Sequence, residues 1–457
     1  MTNANTNKEL SAYLEKHPET RFIELLAADV NGILRGKRAP VDDAVKVFKN
    51  GVNYCAATVI LNCKGTTYSS IPMGSADGDP DVKAHIVPGT LVEVPWASIP
   101  SAQAMVELTE FDGSPFALDP RQVLRRSLQP LKDLGLHPVM AAELEFYLVE
   151  HDGTTFQPRM PRIPGSKLPQ DGLQYSMLED LEDVDDFLTD LDSICRTQNI
   201  PAGAALSEFA PGQFEVNLQH VDDPHRACEH ALMLKRAVKA AARKNGLAAT
   251  FMAKPFQEFA GSGLHIHVSL LDDDGNNVFA GKCSDGNFSE VLRHAIGGLG
   301  EVMAESVALL APNANSYRRY VPGSYVPCTP NWGVNHREVS MRIPLSSDLN
   351  SRVELRVAGA DSNPYLVTAA LMAGLHHGIS HQCMPGEMVK EREELEEVIT
   401  LPTNWPLALE VFRNGSILPK YMGEKFCELF AKCRLEECHQ FQAEVSNRDY
   451  DWYLRAV

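Results

Sequence analysis

The stretch Gly261-Ser-Gly-Leu-His-Ile-His-Val-Ser-Leu270 decides how this chain folds. From Leu264 onward, apolar residues alternate strictly with His265, His267 and Ser269. This period of two predicts a half-buried strand with one apolar face and one face that carries two imidazoles and a hydroxyl group. A single strand of this kind more often has a solvated polar face than a metal site. Its interpretation therefore depends on the other strands of the chain.

Four further segments divide in the same way into an apolar and a polar face, namely residues 138–150, 213–219, 338–344 and 352–357. In the first of them, Glu143 and Glu145 point the same way, about 7 Å apart along the strand. For any one of these strands, an exposed outer face explains the alternation.

The identity of the polar residues argues against that explanation for the set. An exposed face would mix Lys, Thr, Gln and Asp, whereas these positions hold mainly Glu, His and Arg, which are unfavourable to bury without partners or a metal. If the strands share one sheet, we expect its polar face to be an active site. The residues on it are Glu143, Glu145, Glu215, His265, Arg342, Arg352, Glu354 and Arg356, with Glu208 just before the Pro211-Gly212 turn.

These residue types indicate a particular chemistry. Carboxylates with a single imidazole suit hard divalent cations such as Mg²⁺ or Mn²⁺, whereas zinc sites favour cysteine and more histidine. Arginines near such cations suit phosphate transfer, because its transition state spreads negative charge over oxygens. The chain has no Walker loop, so nucleotide must be held by this face. The residues thus predict a metal-dependent enzyme that handles phosphate, and they leave its substrate open.

Composition argues against several classes of function. The net charge of −18 disfavours binding to nucleic acid or to an anionic membrane. The ten cysteines form no Cys-x-x-Cys pair, and the first residues lack the basic and apolar parts of a signal peptide. No run of about 18 apolar residues predicts a membrane-spanning helix. We therefore expect a cytoplasmic protein with reduced thiols that acts on small molecules or on a cationic partner.

Turn signals divide the chain into two predicted domains. Residues 22–37 hold two apolar runs around Asn31-Gly32, the strongest short signal for a β-hairpin. The segment 111–120 has the Gly, Pro, Ser and Asp content of a connector. We therefore predict a β-rich domain over residues 1–112 and a second domain over residues 113–457. Further N-terminal strands are expected at residues 53–60 and 90–95.

Helix starts are clear at three points. Asp119-Pro120, Asp223-Pro224 and Asn363-Pro364 each combine a capping side chain with proline at the first helical position. An acidic helix is also predicted over residues 178–199. The first two capped helices are expected to end at Gly135 and Gly246.

Eight stretches, in this order along the chain, resemble the type I glutamine synthetase superfamily. One such motif would be weak evidence, but eight in register span nearly the whole chain. They are Asp29-Val-Asn-Gly-Ile-Leu-Arg-Gly-Lys37, Ala142-Glu-Leu-Glu-Phe-Tyr147, Pro211-Gly-Gln-Phe-Glu215, Ala248-Ala-Thr-Phe-Met-Ala-Lys-Pro255, Gly261-Ser-Gly-Leu-His-Ile-His267, Asn315-Ser-Tyr-Arg-Arg-Tyr-Val-Pro-Gly323, Arg342-Ile-Pro344 and Asn363-Pro-Tyr365.

The resemblance implies an α+β protein with the glutamine synthetase fold. An N-terminal β-grasp domain would precede a catalytic domain built on a curved antiparallel sheet flanked by helices. Active sites would lie between neighbouring subunits of a homo-oligomer, a dodecamer of two stacked hexameric rings. With two or three Mg²⁺ or Mn²⁺ ions per site, ATP would phosphorylate the γ-carboxyl of glutamate, and an amine would then displace the phosphate.

Carried over motif by motif, the resemblance also implies roles for individual residues. Glu145, Glu208 and Glu215 would hold one metal ion, and Glu143, His265 and Glu354 the other. The nucleotide would contact His267, Ser269 and Arg352. Glutamate would bind Arg319 and Arg356, with Gly261 in the loop above. Arg337 and Arg342 would neutralise phosphate and, with Arg319, are the expected catalytic arginines.

The departures from the family pattern concern the amine. Glutamine synthetases carry an Asp-Gly-Ser-Ser turn and a flap glutamate that recognise ammonium. This chain has Tyr54-Cys-Ala-Ala-Thr58 and Val321-Pro-Gly-Ser-Tyr325 at these places, and Ala260 where an Asn usually precedes Gly-Ser-Gly. Loss of both carboxylates should damage a reaction in which ammonium must lose a proton. The replacements suit an amine with a carbon chain and look like the γ-glutamylpolyamine synthetases, the glutamate-putrescine ligase group.

The sequence therefore predicts a ligase that joins the γ-carboxyl of glutamate to putrescine, spermidine or spermine, the first step of polyamine catabolism. Cys55, Ala56 and Tyr325 are the candidate residues of the amine site. The alternatives are a ligase for another primary amine, such as a monoamine or ethanolamine, and a glutamine synthetase that uses ammonium. A non-enzymatic relative is disfavoured by the six metal ligands. The preferred amine and the base that deprotonates it stay open.

Overall fold

The computed structural model describes residues 2–68, 71–72, 77–151, 153–170, 175–281, 288–321, 325–391 and 400–457. Residues 322–324 of the expected flap lie outside these ranges. The described strands form two sheets, one in the N-terminal part of the chain and one in the remainder. Among the described residues, no helix is long and apolar enough to cross a lipid bilayer.

The N-terminal sheet has six strands, Phe22–Ala28 (β1), Leu34–Pro40 (β2), Val52–Cys55 (β3), Asp81–Ile86 (β4), Val92–Glu93 (β5) and Ser101–Thr109 (β6). Their order is β2-β1-β6-β4-β3, with β5 also paired to β6. The hairpin prediction is confirmed, because β1 and β2 pair around a turn in which Gly32 has φ +73°. β1 lies parallel to β6, so the first and last strands of the predicted N-terminal domain are neighbours in the sheet.

The strand predicted over residues 53–60 is wrong in its second half. β3 stops at Cys55, the last residue paired with β4, and Ala56–Ile60 form a 3₁₀ helix. Four of the five side chains in that helix are buried. An uninterrupted apolar run is compatible with either structure, so its hydrophobicity alone does not distinguish them.

Twelve helices are described: Thr2–Lys16 (α1), Ala44–Asn50 (α2), Pro120–Asp133 (α3), Leu178–Glu182 (α4), Asp185–Thr197 (α5), Pro224–Lys244 (α6), Glu290–Leu310 (α7), Pro364–His381 (α8), Trp405–Asn414 (α9), Leu418–Met422 (α10), Glu424–Ala443 (α11) and Asn447–Tyr453 (α12). The three capped starts are confirmed, since Asp119, Asp223 and Asn363 each accept a hydrogen bond from the second following backbone N–H.

The continuous helix predicted over residues 178–199 is wrong. It is broken between α4 and α5, where Val184 leaves the helical region at φ −121° and ψ 23°. Arg159 forms an ion pair with Asp183 at 2.9 Å, and Val184 is buried at the break. These contacts with the rest of the fold override a local helical preference.

The second sheet has nine strands, His137–His151 (β7), Phe156–Pro158 (β8), Ala202–Ser207 (β9), Gln213–Leu218 (β10), Ala248–Thr250 (β11), Leu264–Leu271 (β12), Trp332–Val334 (β13), Met341–Ile343 (β14) and Val353–Leu355 (β15). The main path is β13-β14-β15-β12-β7-β10-β9. All pairs are antiparallel except β13 with β14. The apolar face packs into the main core, where Leu144, Ile266 and Val268 are almost fully buried. The opposite face of β7, β10 and β12 carries the polar side chains of these strands.

The hairpin turn of the N-terminal sheet joins it to the rest of the fold. Asn363, the cap of α8, donates a hydrogen bond to the carbonyl of Asp29 at 2.7 Å. The buried guanidinium of Arg434 donates to Asn31 at 2.6 Å. A Cβ at Gly32 would lie 3.2 Å from Asn363 Cα, so glycine suits both the φ angle and the close approach. The two sheets fall on either side of residue 112, and that domain boundary stays a prediction.

Candidate active site

Neighbouring strands of the nine-stranded sheet bring their polar residues to one face. Glu145 lies opposite Glu215 in the β7–β10 pair, and Glu143 lies opposite His265 in the β7–β12 pair. Residues directly opposite each other in antiparallel strands point to the same side, so these side chains share a face. The same register continues outward in the pairs His267–Glu354 and Glu354–Arg342. The structure therefore brings together the strands that the sequence singled out.

The acidic and imidazole side chains form overlapping groups that are able to hold metal ions. In the group Glu145, Glu208 and Glu215, one ligand atom from each residue lies within 4.8 Å of the others. These are the three residues assigned to one ion by the resemblance. The second assigned set is also brought together, since His265 Nδ1 lies 3.5 Å from a Glu143 oxygen and 3.9 Å from a Glu354 oxygen.

Mutual repulsion dominates one end of this cluster. Burial and the charge of Glu145 raise the pKa of Glu208 to about 7. Burial and the charges of Glu143 and Glu145 raise the pKa of Glu215 to about 9. Buried carboxylates that repel one another are relieved either by protonation or by a cation between them. The all-oxygen ligand set fits a hard cation such as Mg²⁺ or Mn²⁺.

Positive groups dominate the other end. Burial alone would raise the pKa of Glu143, but hydrogen bonds from His265 and His267 outweigh it and lower that pKa. Burial also opposes ionisation of Glu354, yet the charges of Arg356 and His265 hold its pKa at about 2. Glu143 and Glu354 are therefore ionised at neutral pH, ready to accept hydrogen bonds or bind a cation.

The Gly-Ser-Gly loop before β12 is shaped around Arg319. A Cβ at Gly261 would lie 2.8 Å from Arg319 Cγ, and a Cβ at Gly263 would lie 2.7 Å from Arg319 Nη2 and 2.9 Å from His265 Nε2. The Gly263 N–H also donates to Glu145 Oε2 at 2.7 Å. This loop thus positions an arginine expected to bind glutamate and a carboxylate expected to bind metal.

Two arginines hold Glu354 from the outer strands. Arg342 Nη1 donates to Glu354 Oε2 at 2.7 Å, and Arg356 binds the other carboxylate oxygen. Arg356 Nε also donates to the carbonyl of Arg337 at 3.1 Å, which places the exposed Arg337 at the edge of the same group. The predicted phosphate-neutralising and glutamate-binding arginines therefore lie next to a predicted metal ligand.

The residues expected to contact nucleotide also lie together. Arg352 Nε donates to His267 Nδ1 at 3.2 Å. Ser269 Oγ donates to the carbonyl of Ser351 at 2.9 Å, in the turn that leads into β15. His267 and Ser269 are buried beside the metal-binding group. Their role toward nucleotide stays a prediction.

An aromatic cluster, made of Tyr175, Phe209 and Tyr325, lies beside the carboxylates. The Phe209 ring is 6.2 Å from Tyr175 and 6.4 Å from Tyr325, and all three side chains are about half exposed. Burial and then the charge of Glu208 raise the pKa of Tyr175, so this ring lies within electrostatic reach of the metal-binding group. Of these three residues, only Tyr325 is predicted from the sequence to belong to the amine site. The one available signal was that Phe209 directly follows Glu208.

The other amine-site candidates are Cys55, the last residue of β3, and Ala56, the first residue of the 3₁₀ helix that follows it. Ala56 is 1% exposed within the core, whereas Cys55 is only partly buried. Of the two, Cys55 offers side-chain surface to a small molecule. Its contact with an amine stays a prediction.

Comparison with known proteins gives consistent matches. The family model of the glutamine synthetase catalytic domain matches residues 117–453. The γ-glutamylputrescine synthetase PuuA of Escherichia coli strain K12 is 39% identical, over 98% of this chain and 94% of that protein. The glutamate–isopropylamine ligase of a Pseudomonas species is 32% identical, over 97% of each chain. A solved structure of the GmaS/ADP complex superposes with a TM-score of 0.84 at 25% identity, covering 97% of this chain and 99% of that one.

Proposed function

This chain belongs to the glutamine synthetase family, and from that membership we propose that it is an ATP-dependent ligase joining the γ-carboxyl of glutamate to a polyamine, putrescine above all. The aromatic cluster of Tyr175, Phe209 and Tyr325 beside Glu208 is the observation that carries the choice of amine. Aromatic faces attract alkylammonium groups and pack against methylene chains. The similarity to a γ-glutamylputrescine synthetase over nearly the whole chain supports the same substrate.

The carboxylate groups would hold two or three Mg²⁺ or Mn²⁺ ions per site. Glu145, Glu208 and Glu215 would bind one ion, and Glu143, His265 and Glu354 another. The repulsion that raises the pKa values of Glu208 and Glu215 supports this assignment, because a bound cation relieves it. Bound there, such ions supply positive charge that offsets the charge of the ATP phosphates.

The arginines would act in the first half-reaction. Arg319 and Arg356 would orient glutamate through its carboxylates, so that a γ-carboxylate oxygen attacks the γ-phosphorus of ATP. γ-Glutamyl phosphate forms and ADP leaves. Arg342 and Arg337 would offset the charge that develops on the transferred phosphoryl group, and His267, Ser269 and Arg352 would hold the nucleotide.

The aromatic cluster would act in the second half-reaction. The alkylammonium group loses a proton, and its nitrogen then attacks the acyl carbon of γ-glutamyl phosphate. Phosphate leaves and a γ-glutamyl amide remains. By the family resemblance, Tyr325 corresponds to the flap glutamate of glutamine synthetases, so the site would carry an aromatic wall that suits a carbon chain in place of a carboxylate that recognises ammonium.

We also propose the assembly that the resemblance implies, a cytoplasmic homododecamer of two hexameric rings acting on small molecules and on neither nucleic acid nor membranes. Its active sites would lie between neighbouring subunits, with Cys55 facing the amine from the adjacent N-terminal domain. Size-exclusion chromatography coupled to light scattering tests the assembly directly.

Release of phosphate from ATP with a panel of amines tests the substrate. We expect turnover that requires glutamate, Mg²⁺ and putrescine together, with spermidine and spermine as further substrates and ammonium far weaker. Glu215→Gln serves as the inactive control and guards against a contaminating ATPase. Equal or better turnover with ammonium than with putrescine contradicts the proposal.

A ligase for a monoamine or for ethanolamine is the second candidate. The similarity to the glutamate–isopropylamine ligase favours it, because that protein, at 32% identity, also matches over nearly the whole of this chain. The same panel separates the two when isopropylamine and ethanolamine are included. Preference for either over every diamine and polyamine selects the second candidate.

A further inference from the structure

Two helices of the C-terminal part of the chain, α7 and α8, pack unusually closely. α7 and α8 meet through glycines, and a Cβ at Gly298 would lie 2.3 Å from the carbonyl oxygen of Gly374 and 2.3 Å from the amide nitrogen of Gly378. Because the two backbones approach so closely here, side chains of α7 and α8 near this crossing also lie close to one another. On one side of the crossing, the neighbours are a glutamate, a histidine and a cysteine.

These three residues, Glu301 on α7, His377 on α8 and Cys383 just beyond α8, form a cluster of potential metal ligands. One ligand atom from each lies within 4.8 Å of the others. His377 Nε2 lies 3.0 Å from Glu301 Oε2. His377 and Cys383 are largely buried, whereas the Glu301 side chain is 52% exposed. Solvent therefore reaches the cluster from the side of Glu301, whereas His377 and Cys383 are enclosed by the protein.

The backbone fixes the position of Cys383. Gln382 ends α8 in the left-handed region at φ 53° and ψ 41°, and the Cys383 N–H turns back to donate to the Gly378 carbonyl at 3.0 Å. This is the geometry of a helix C-terminal cap. It brings the thiol to the side of the helix end that faces Glu301.

We propose that Glu301, His377 and Cys383 bind a transition-metal ion of the zinc class. Thiolate, imidazole and carboxylate are the three side-chain ligands that zinc uses, and a tetrahedral ion needs donors about 3.4 Å apart. Mg²⁺, the ion expected at the catalytic face, prefers oxygen ligands and binds thiolates poorly. The two kinds of site therefore differ in chemistry. A fourth position remains for water or for His381, whose ring centroid lies 4.3 Å from that of His377 with the two planes tilted by 33°.

A metal ion here would fasten the chain that leaves α8. Three residues beyond Cys383, the Trp332 indole donates to the Gly386 carbonyl at 2.8 Å, and the Val389 N–H donates to the Trp332 carbonyl at 2.9 Å. Trp332 begins β13, which pairs with β14, the strand that carries Arg342. The ion would thus stabilise the outer edge of the catalytic sheet without touching substrate.

Cobalt substitution tests this site in the full-length enzyme. The protein is stripped with a chelator, saturated with Mg²⁺ to fill the catalytic face, and titrated with Co²⁺. We expect a thiolate-to-cobalt charge-transfer band in the near ultraviolet, which the catalytic carboxylates and imidazoles cannot produce. Zinc should then displace cobalt at about one equivalent per chain.

The variants decide between a metal site and a hydrogen-bonded cluster. Cys383→Ser should abolish the band, and Glu301→Gln, at an exposed position that leaves folding intact, should weaken Zn²⁺ binding at least about 100-fold. Cys438→Ser, which removes another buried thiol, is the matched control and should retain the band. Absence of the band in the unmodified enzyme, or a band that survives Cys383→Ser, overturns the proposal. Zn²⁺ binding unchanged by Glu301→Gln does the same.

Discussion

Glu143 Oε1 and His267 Nε2 lie 2.9 Å apart, a contact that joins the expected metal site to the expected nucleotide site. Because Arg352 Nε donates to His267 Nδ1, the other ring nitrogen must carry the proton and donate it to Glu143. One imidazole therefore orients Glu143, an expected metal ligand, while it receives a hydrogen bond from an arginine expected to contact nucleotide. His267 therefore links the expected metal site to the expected nucleotide site.

This double role predicts a linked defect in His267→Ala. Loss of the imidazole should lower kcat/KM for ATP at least about tenfold, as for other residues that orient metal ligands, and should raise the Mg²⁺ concentration needed for half-maximal rate. Steady-state kinetics with ATP and Mg²⁺ varied separately checks both effects. His137→Ala, at the exposed start of the same central strand, is the control and should change neither. A change in the ATP dependence alone would show that the contact with Glu143 has no role.

Metal removal should make stability depend on pH. Without a cation, the pKa values of Glu208 and Glu215 rise from an ordinary 4.5 to about 7 and about 9, so the folded protein binds more protons than the unfolded chain. The protonated forms of these two carboxyls stabilise the folded state. This contribution to the free energy of unfolding is complete below the pKa that the carboxyls have in the unfolded chain, and it is lost as pH rises through their pKa values in the folded protein. We therefore expect the Tm of chelator-treated protein to fall from about pH 5 to about pH 9, and Mg²⁺ to restore most of the loss.

Differential scanning calorimetry across this range, with and without Mg²⁺, measures that dependence. Glu215→Gln removes the carboxyl with the higher pKa and should flatten the fall in the metal-free protein. Parallel Tm profiles with and without Mg²⁺ would mean that these carboxylates do not share a cation.

The sequence predicted the parts of the site that depend on strand period. Alternation alone places Glu143 with Glu145, and His265 with His267, on one face of a strand, and pairing of adjacent strands then merges the faces. Neither period nor spacing reveals that Tyr175 and Phe209 meet Tyr325, because these residues come from loops that long-range folding brings together. The 3₁₀ helix after Cys55 was missed for a related reason, since a short apolar run packs equally well as a strand or a helical turn.

The loop around Arg319 predicts a selective effect of Gly263→Ala. The added methyl group would lie 2.7 Å from Arg319 Nη2, so the guanidinium must move away from the place where it is expected to bind glutamate. We expect KM for glutamate to rise roughly tenfold or more, because misplacing a binding group weakens the contacts it makes. KM for ATP should change less. The Mg²⁺ concentration needed for half-maximal rate should also rise, because the same methyl group would lie 2.9 Å from His265 Nε2, an expected metal ligand. Gly386→Ala, where an added Cβ meets nothing within 4 Å, is the control and should behave as the unmodified enzyme. A uniform loss for both substrates would indicate general disruption of the loop.

Tyr325 predicts where the choice of amine resides. Its φ of +58° lies in the left-handed region, which a tyrosine adopts reluctantly and glycine adopts freely. Tyr325→Gly therefore removes the ring without adding backbone strain, and Tyr325→Phe keeps the ring without the hydroxyl. If the ring attracts the ammonium group and packs on the carbon chain, Tyr325→Gly should raise KM for putrescine roughly 3- to 30-fold and leave KM for ATP and glutamate nearly unchanged, whereas Tyr325→Phe should retain putrescine use. Phe156→Ala, which removes an exposed ring on β8, is the matched control. Equal losses for all three substrates in Tyr325→Gly would assign the residue to the stability of the flap, and the specificity for the amine would have to come from the neighbouring subunit.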